Sequence, residues 1–422
     1  MPAVKRPLGF FLVFLVCSTV SGQDAPLTLE RAVTLALERN ERAAIADTTV
    51  EAAEARVSRA RTAFFPRVDI LGNWRTDYPD PTDRTLSTSA LLTQPIFDAR
   101  VFPFFRQARF QRDAARFGAG ESKRLLGFDA AVVFLNTLSF EQVQLAAQRR
   151  RDFAQTNLED VRARFEAGLV SSNDVTRAEL ELATAVRGVA EAAGNVQAAR
   201  VDLENLLKAE VDGPLARPTA LLEDAASPPS TDVTAARERR GDIAAERAGV
   251  EALRAFADEP RARFFPSVAL SAQTRNINDG PITSREQDGF VGLTFAWPVF
   301  DAGVRGAERR EREALVRGAE LELEASLRGV ERELESAAVR LSTEQAALRE
   351  ATAAVRAARK NADETTILYR EGLASALELA DATQQLFEAE VAEATATYRM
   401  ALAYLSLREA SGDGATGAAG ER

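Results

Sequence analysis

The sequence predicts a mainly α-helical chain of two internal repeats, each joining a β-hairpin to a long antiparallel coiled-coil α-hairpin. Three observations carry this. No proline occurs between Pro103 and Pro214, and none follows Pro298; proline breaks a helix interior, so both stretches are free to be long helices. The phrase "TAFFPRVDILGNWRTD" from Thr62 returns as "RARFFPSVALSAQTRN" from Arg261. After each Phe-Phe-Pro the residues alternate apolar and polar, the period of a strand.

From the N-terminus, residues 1–22 read as a signal peptide. Lys5 and Arg6 precede an apolar stretch from Leu8 to Val16, and small residues follow up to Gly22. That stretch is too short to span a bilayer as a helix. Cleavage before Cys17 as a lipoprotein is disfavoured by the bulky Val16. The first repeat is set at 23–208: a helix, a β-hairpin at about 66–97, and a helical hairpin whose tip is at Gly168. An irregular, proline-containing linker follows at 209–232. The second repeat, 233–410, has its β-hairpin at about 266–300 and its tip at Gly372. The tail 411–422 is small and polar, and disorder is expected there. Each proline-free stretch would reach about 160 Å as one unbroken helix, but "RFEAGLVSSNDV" and "LYREGLASALEL" interrupt them near the middle. A glycine at such a place suits the left-handed residue that ends a helix. Two further prolines, Pro103 and Pro260, are expected to disturb helices next to the β-hairpins.

Leu327, Leu334, Leu341, Leu348, Val355, Ala362 and Tyr369 follow one another at heptad spacing, a coiled-coil seam with small residues as partners. In the hairpins, Val68, Ile70 and Trp74 alternate with Asp69 and Asn73. Val291, Leu293, Phe295 and Trp297 alternate with Gly292, Thr294 and Ala296. Both tryptophans of the chain, Trp74 and Trp297, are assigned to these strands, and with Phe97 and Phe300 they are candidate aromatic anchors at a membrane interface. Alternation over about ten residues is the pattern of a transmembrane β-strand. Four strands cannot close a barrel, and an open edge cannot face lipid. Several chains are therefore expected to share one wall.

Composition removes other classes. The chain has no histidine, one cysteine (Cys17, inside the expected leader) and a net charge of −10. Histidine-based catalysis, thiol chemistry and disulfides are thereby disfavoured. Nucleic acid is disfavoured as a partner, because no basic excess replaces phosphate counterions. No phosphate-binding loop and no metal-ligand spacing occurs; no catalytic residue, cofactor or metal is assigned. Near the second tip Glu378 and Asp381 share a helix face, and Asp174 takes the place of Glu378 at the first. On the residues alone, these are an ordinary acidic helix start favoured by the helix dipole.

In the order and double occurrence of "QPIFDA" (94–99) with "WPVFDAG" (297–303), and of the two tip phrases, the chain resembles the TolC-like outer-membrane efflux proteins of Gram-negative bacteria. The resemblance runs from "LTLERAVTLALERN" at 27–40 to about Leu407. It implies a homotrimer in outer-membrane lipid, whose twelve-stranded barrel continues as an α-barrel tunnel through the periplasm. It implies two partners, a periplasmic adaptor docking near Gly168 and Gly372 and an inner-membrane transporter. It also implies that Asp174, Glu378 and Asp381 line the periplasmic entrance. The expected function is a passive exit duct for efflux; the alternatives are the same duct in type I protein secretion, or an exported coiled-coil scaffold without a pore.

Overall fold

The computed structural model of the chain describes residues 26–76, 84–230, 232–279 and 285–416. The expected signal peptide lies outside them. The first repeat opens with α1 (Leu29–Arg39) and α2 (Glu41–Thr62), then strands β1 (Arg67–Thr76) and β2 (Arg84–Phe97), then the long α3 (Val101–Glu166) and α4 (Ser172–Leu207). A short α5 (Thr219–Ala226) lies in the linker. The second repeat repeats the order with α6 (Val233–Arg239), α7 (Gly241–Ala257), α8 (Glu259–Ala262), β3 (Ser267–Asp279), β4 (Arg285–Ala296), α9 (Val304–Arg370) and α10 (Ala376–Ala410).

The helices stop where local chemistry stops them. Asn40 is extended (φ −77°, ψ 135°) and divides α1 from α2. Its side-chain oxygen accepts from the Arg42 N–H at 3.0 Å, and its amide donates to the Leu206 carbonyl at 2.9 Å. That is an N-cap tied to a distant helix. Arg240 makes the matching break between α6 and α7 (φ −67°, ψ 121°). Pro260 falls in the first turn of α8, where the missing N–H is harmless, and the helix breaks ahead of it as expected. Pro103 does not disturb α3. It too sits in the first turn, so no internal hydrogen bond is lost.

α3 and α9 have 66 and 67 residues, about 100 Å each at 1.5 Å per residue. α4 and α10 fold back along them. The main core lies at mid-height, where α1, α5 and α6 pack against the long helices. Phe134, Leu135 and Leu126 of α3 are fully enclosed there with Leu203 of α4, Val330 of α9 and Leu405 of α10. Of the heptad seam on α9, Leu334, Leu341, Val355, Ala362 and Tyr369 are buried, and Leu327 and Leu348 pack at its margin. On α4 the buried seam is Ala178, Ala185, Ala192 and Ala199. Side chains this small let helices approach closely. A second, small core near the tips joins Leu158, Val161, Ala178, Tyr369 and Leu379.

Two sequence expectations change. The linker is not irregular throughout, because α5 buries Leu221, Leu222 and Ala225. The tail is not disordered over 411–416. Ser411 and Ala415 are buried, Arg124 donates to the Asp413 carbonyl at 2.9 Å, and Arg408 donates to the Thr416 carbonyl at 3.0 Å. Small residues fit against the central core for the same reason that they looked featureless in the sequence.

Candidate functional site: channel wall and tunnel tips

The four strands form one antiparallel meander in the order β1-β2-β3-β4. Val68 stands opposite Leu92, Leu92 opposite Ala272, and Ala272 opposite Val291, so these four point to one side. Ile70, Trp74, Leu270, Leu293 and Phe295 share that side by the same register. Nothing among the described residues covers it: Ile70 is 74% exposed, Leu293 70% and Val291 76%. The other side carries Asp69, Asn73, Ser89, Thr93, Ser271 and Gln273, with Leu71, Leu91 and Phe290 among them, and Arg275 pairs there with Asp288. One face is mainly apolar and suits lipid, and the other is mainly polar and suits water. The strands have 10 to 14 residues, long enough to cross the hydrocarbon layer. Among the described residues β1 pairs only with β2 and β4 only with β3, which leaves two open edges.

Of the expected anchors, Trp74 lies in β1 and Phe97 ends β2, both exposed. Trp297 and Phe300 are not strand residues. β4 ends at Ala296, and the Trp297 indole N–H donates to the Phe264 carbonyl at 3.0 Å, in the turn between helix and sheet. Pro298 cannot extend the ladder, which ends the strand one residue earlier than alternation suggested.

At the far end of the long helices the two tips are near copies. Gly168 and Gly372 both have φ +73°, and a Cβ at either would meet nothing within 4 Å. The Leu169 N–H reaches back to the Arg164 carbonyl at 2.9 Å, and the Leu373 N–H to the Leu368 carbonyl at 2.8 Å. Each closes a helix C-terminus in the Schellman manner, with glycine in the left-handed position. The chain then turns into a capped helix. The Ser171 N–H donates to the Asp174 carboxylate at 2.9 Å, and the Ser375 N–H donates to the Glu378 carboxylate at 2.6 Å. These are reciprocal capping boxes. Asp174 and Glu378 are therefore first of all helix caps. The bond from the Ser375 backbone holds the Glu378 carboxyl below its ordinary range. Asp381, one turn on, accepts from Gln385 at 2.8 Å and is exposed.

Sequence reading missed the residue that joins the tips. Arg164 of α3 donates to the carbonyls of Tyr369 and Arg370, each at 3.0 Å, and its guanidinium lies 5.2 Å from the centre of the Tyr369 ring. A cation thus meets the orphan carbonyls that end α9. The Tyr369 hydroxyl is buried without a hydrogen-bond partner among the described residues, and burial raises its pKa. Arg164 and Tyr369 are far apart in sequence; only the folded-back repeats bring them together.

An amphipathic sheet segment on long, tipped helical hairpins defines the class: a subunit of a membrane barrel that continues as a helical tunnel. The chain belongs to the outer membrane efflux protein family, which it matches over residues 32–208 and again over 233–413. It is 22% identical to Outer membrane protein TolC of Escherichia coli (strain K12), over 86% of this chain and 77% of that protein. It is 23% identical to the cobalt-zinc-cadmium resistance protein CzcC of Cupriavidus metallidurans, over 87% and 85%. Its fold matches a CusC crystal structure with a TM-score of 0.79 at 19% identity, covering 93% of each chain. It matches the open state of the MtrE channel of Neisseria gonorrhoeae with a TM-score of 0.78 at 20% identity, covering 92% and 89%. This is a family of outer-membrane channels, not of enzymes, and the chain is an outer-membrane protein whose helices extend into the periplasm.

Proposed function

We propose that three copies of the chain form the exit duct of a tripartite efflux system. The duct passively carries small molecules or metal ions delivered by an inner-membrane transporter through a periplasmic adaptor. The observation that carries this reading is the open-edged amphipathic sheet. Its apolar face calls for lipid, and in lipid an unpaired edge costs several kcal/mol per backbone group, roughly. Edge β1 of one copy and edge β4 of the next satisfy each other, and three copies give a closed wall of twelve strands. The tips with Gly168 and Gly372 are then the docking end, Asp174, Glu378 and Asp381 border the entrance, and Trp74, Phe97, Trp297 and Phe300 anchor the barrel. Energy coupling belongs to the transporter, since the chain carries no nucleotide-binding loop.

Cross-linking of the detergent-purified protein should stop at a trimer, and that trimer should conduct ions in a planar bilayer. A monodisperse, membrane-inserted monomer would overturn the reading.

A further inference from the structure

Helices α2 and α3 run antiparallel and are laced by charge pairs. Arg42 meets Asp129, Asp47 meets Lys123, and Glu54 meets Arg116. The last two rungs are one heptad apart on both helices. One further heptad toward the sheet sets Arg61 opposite Arg109, so the ladder of opposite charges ends in two cations. Neither belongs to an ion pair among the described residues. The second repeat supplies the comparison. There Arg254 meets Glu320, and one heptad on Arg261 meets Glu313 at 3.7 Å. Arg261 precedes its Phe-Phe-Pro as Arg61 precedes the first one, so Arg109 stands where the other repeat has a carboxylate.

The rung lies beside the lipid-facing sheet. Arg61 is 5.9 Å from the centre of the Phe65 ring, and Phe65 is 52% exposed. Phe64 packs edge-on against Phe102 and Phe105, at 5.7 and 5.9 Å between centroids. Arg109 follows Phe105 and Phe102 by one and two turns on the same face of α3. Exposed aromatics next to the apolar sheet face mark the membrane side of this collar. Val68, the first residue of that face, is seven positions beyond Arg61, which sets the rung at headgroup depth, roughly 5–10 Å outside the hydrocarbon. Residues 56–67 and 100–112 hold eight arginines, in a chain of net charge −10; Arg67, Arg100, Arg106 and Arg112 of these pair with Asp69, Asp98, Asp258 and Asp113. Among the described residues Arg56 and Arg59 also lack a carboxylate partner.

We propose that Arg61 and Arg109 seat the phosphate of an anionic phospholipid of the periplasmic leaflet. This rests on the barrel being embedded through its apolar face. The phosphate supplies the negative charge that Glu313 supplies in the second repeat, the planar guanidinium forks grip its oxygens, and the acyl chains run along Phe65 and the sheet.

The test uses the full-length oligomer in nanodiscs of phosphatidylcholine, with and without phosphatidylglycerol. The native protein should gain thermal stability with phosphatidylglycerol and retain it preferentially after delipidation. Arg109→Glu rebuilds the rung of the second repeat. It should be at least as stable as the native protein in detergent, yet bind phosphatidylglycerol on the order of tenfold more weakly. Arg61→Gln with Arg109→Gln should weaken binding similarly, which covers the case in which the charge reversal does not fold. Arg187→Ala, at an exposed pair on α4, should change nothing. An equal response to both lipids, or an undiminished phosphatidylglycerol response in Arg109→Glu, would overturn the proposal. So would inorganic phosphate reproducing the full stabilisation, or the glutamine pair altering only the reversal potential of the channel, which would place the rung in the lumen.

Discussion

At the scale of single residues, the tips show how far sequence goes. Gly168 and Gly372 were legible because a glycine inside a long helical pattern has few other uses. Both stand in the left-handed region with open space around them, so a leucine at either costs backbone strain, about 1–2 kcal/mol, and no clash. Gly168→Leu and Gly372→Leu should leave the proposed trimer intact by size and lower adaptor-dependent transport; normal transport would remove the tips from the proposed docking surface. The acidic tip residues were legible as helix starts, and the Ser-x-x-Asp/Glu spacing held the reason. Their caps change the electrostatic expectation. A ring of acids alone would raise one another's pKa, whereas the Ser375 bond lowers that of Glu378. With a folded-state pKa below the unfolded one, its contribution is fully present above the ordinary glutamate range. It fades as pH falls through the lowered value. Hydrogen exchange at the start of α10, corrected for intrinsic rate, should therefore rise on acidification in the native protein and change much less in Glu378→Gln. Asp381 is free of capping duty, so it is the cleaner probe of the proposed entrance. Asp381→Asn should reduce cation preference in single-channel recordings under a salt gradient without fraying the helix; an unchanged reversal potential would return it to a solvated helix face.

At the scale of elements, proline spacing and heptads disclosed the long helices because both are local properties of the chain. The contacts that fix one hairpin on the other were hidden, since they join residues about 200 apart that no local pattern relates. Arg164 is the clearest instance: in sequence it is one of many arginines, and in the fold it caps α9. Replacing it by alanine removes two hydrogen bonds from a charged donor, on the order of 1.5 kcal/mol each net of exchange with water, and less for the exposed one to Arg370. Spin labels on the two tips should report a broader distance distribution in Arg164→Ala, and Arg164→Lys should restore only part of the order, having charge without the fork. The packed tail was hidden for a different reason. Ser411 and Ala415 carry no hydrophobic signal, and their burial depends on a niche formed by the other helices.

At the scale of the whole molecule, the alternation of strands identified a lipid-facing side before any partner strand was known, because period two follows from the pleat itself. Strand ends were less legible, as Trp297 shows, since they depend on where pairing stops. Leu293 and Ser271 lie in neighbouring strands on opposite faces. Leu293→Arg should cost about 2–4 kcal/mol per copy in the bilayer and deplete assembled protein from the outer-membrane fraction. Ser271→Arg should leave the assembled fraction near native. Equal effects of the two would mean that the sheet does not separate lipid from water.

The open edges also bear on inheritance. If each wall needs three chains, a copy that folds its helices but cannot pair one edge will be incorporated beside sound ones and spoil them. In a cell making sound and defective chains equally, only roughly one assembly in eight would contain three sound copies. Edge defects on β1 or β4 should therefore behave as dominant, whereas a chain too unstable to reach the membrane should behave as recessive.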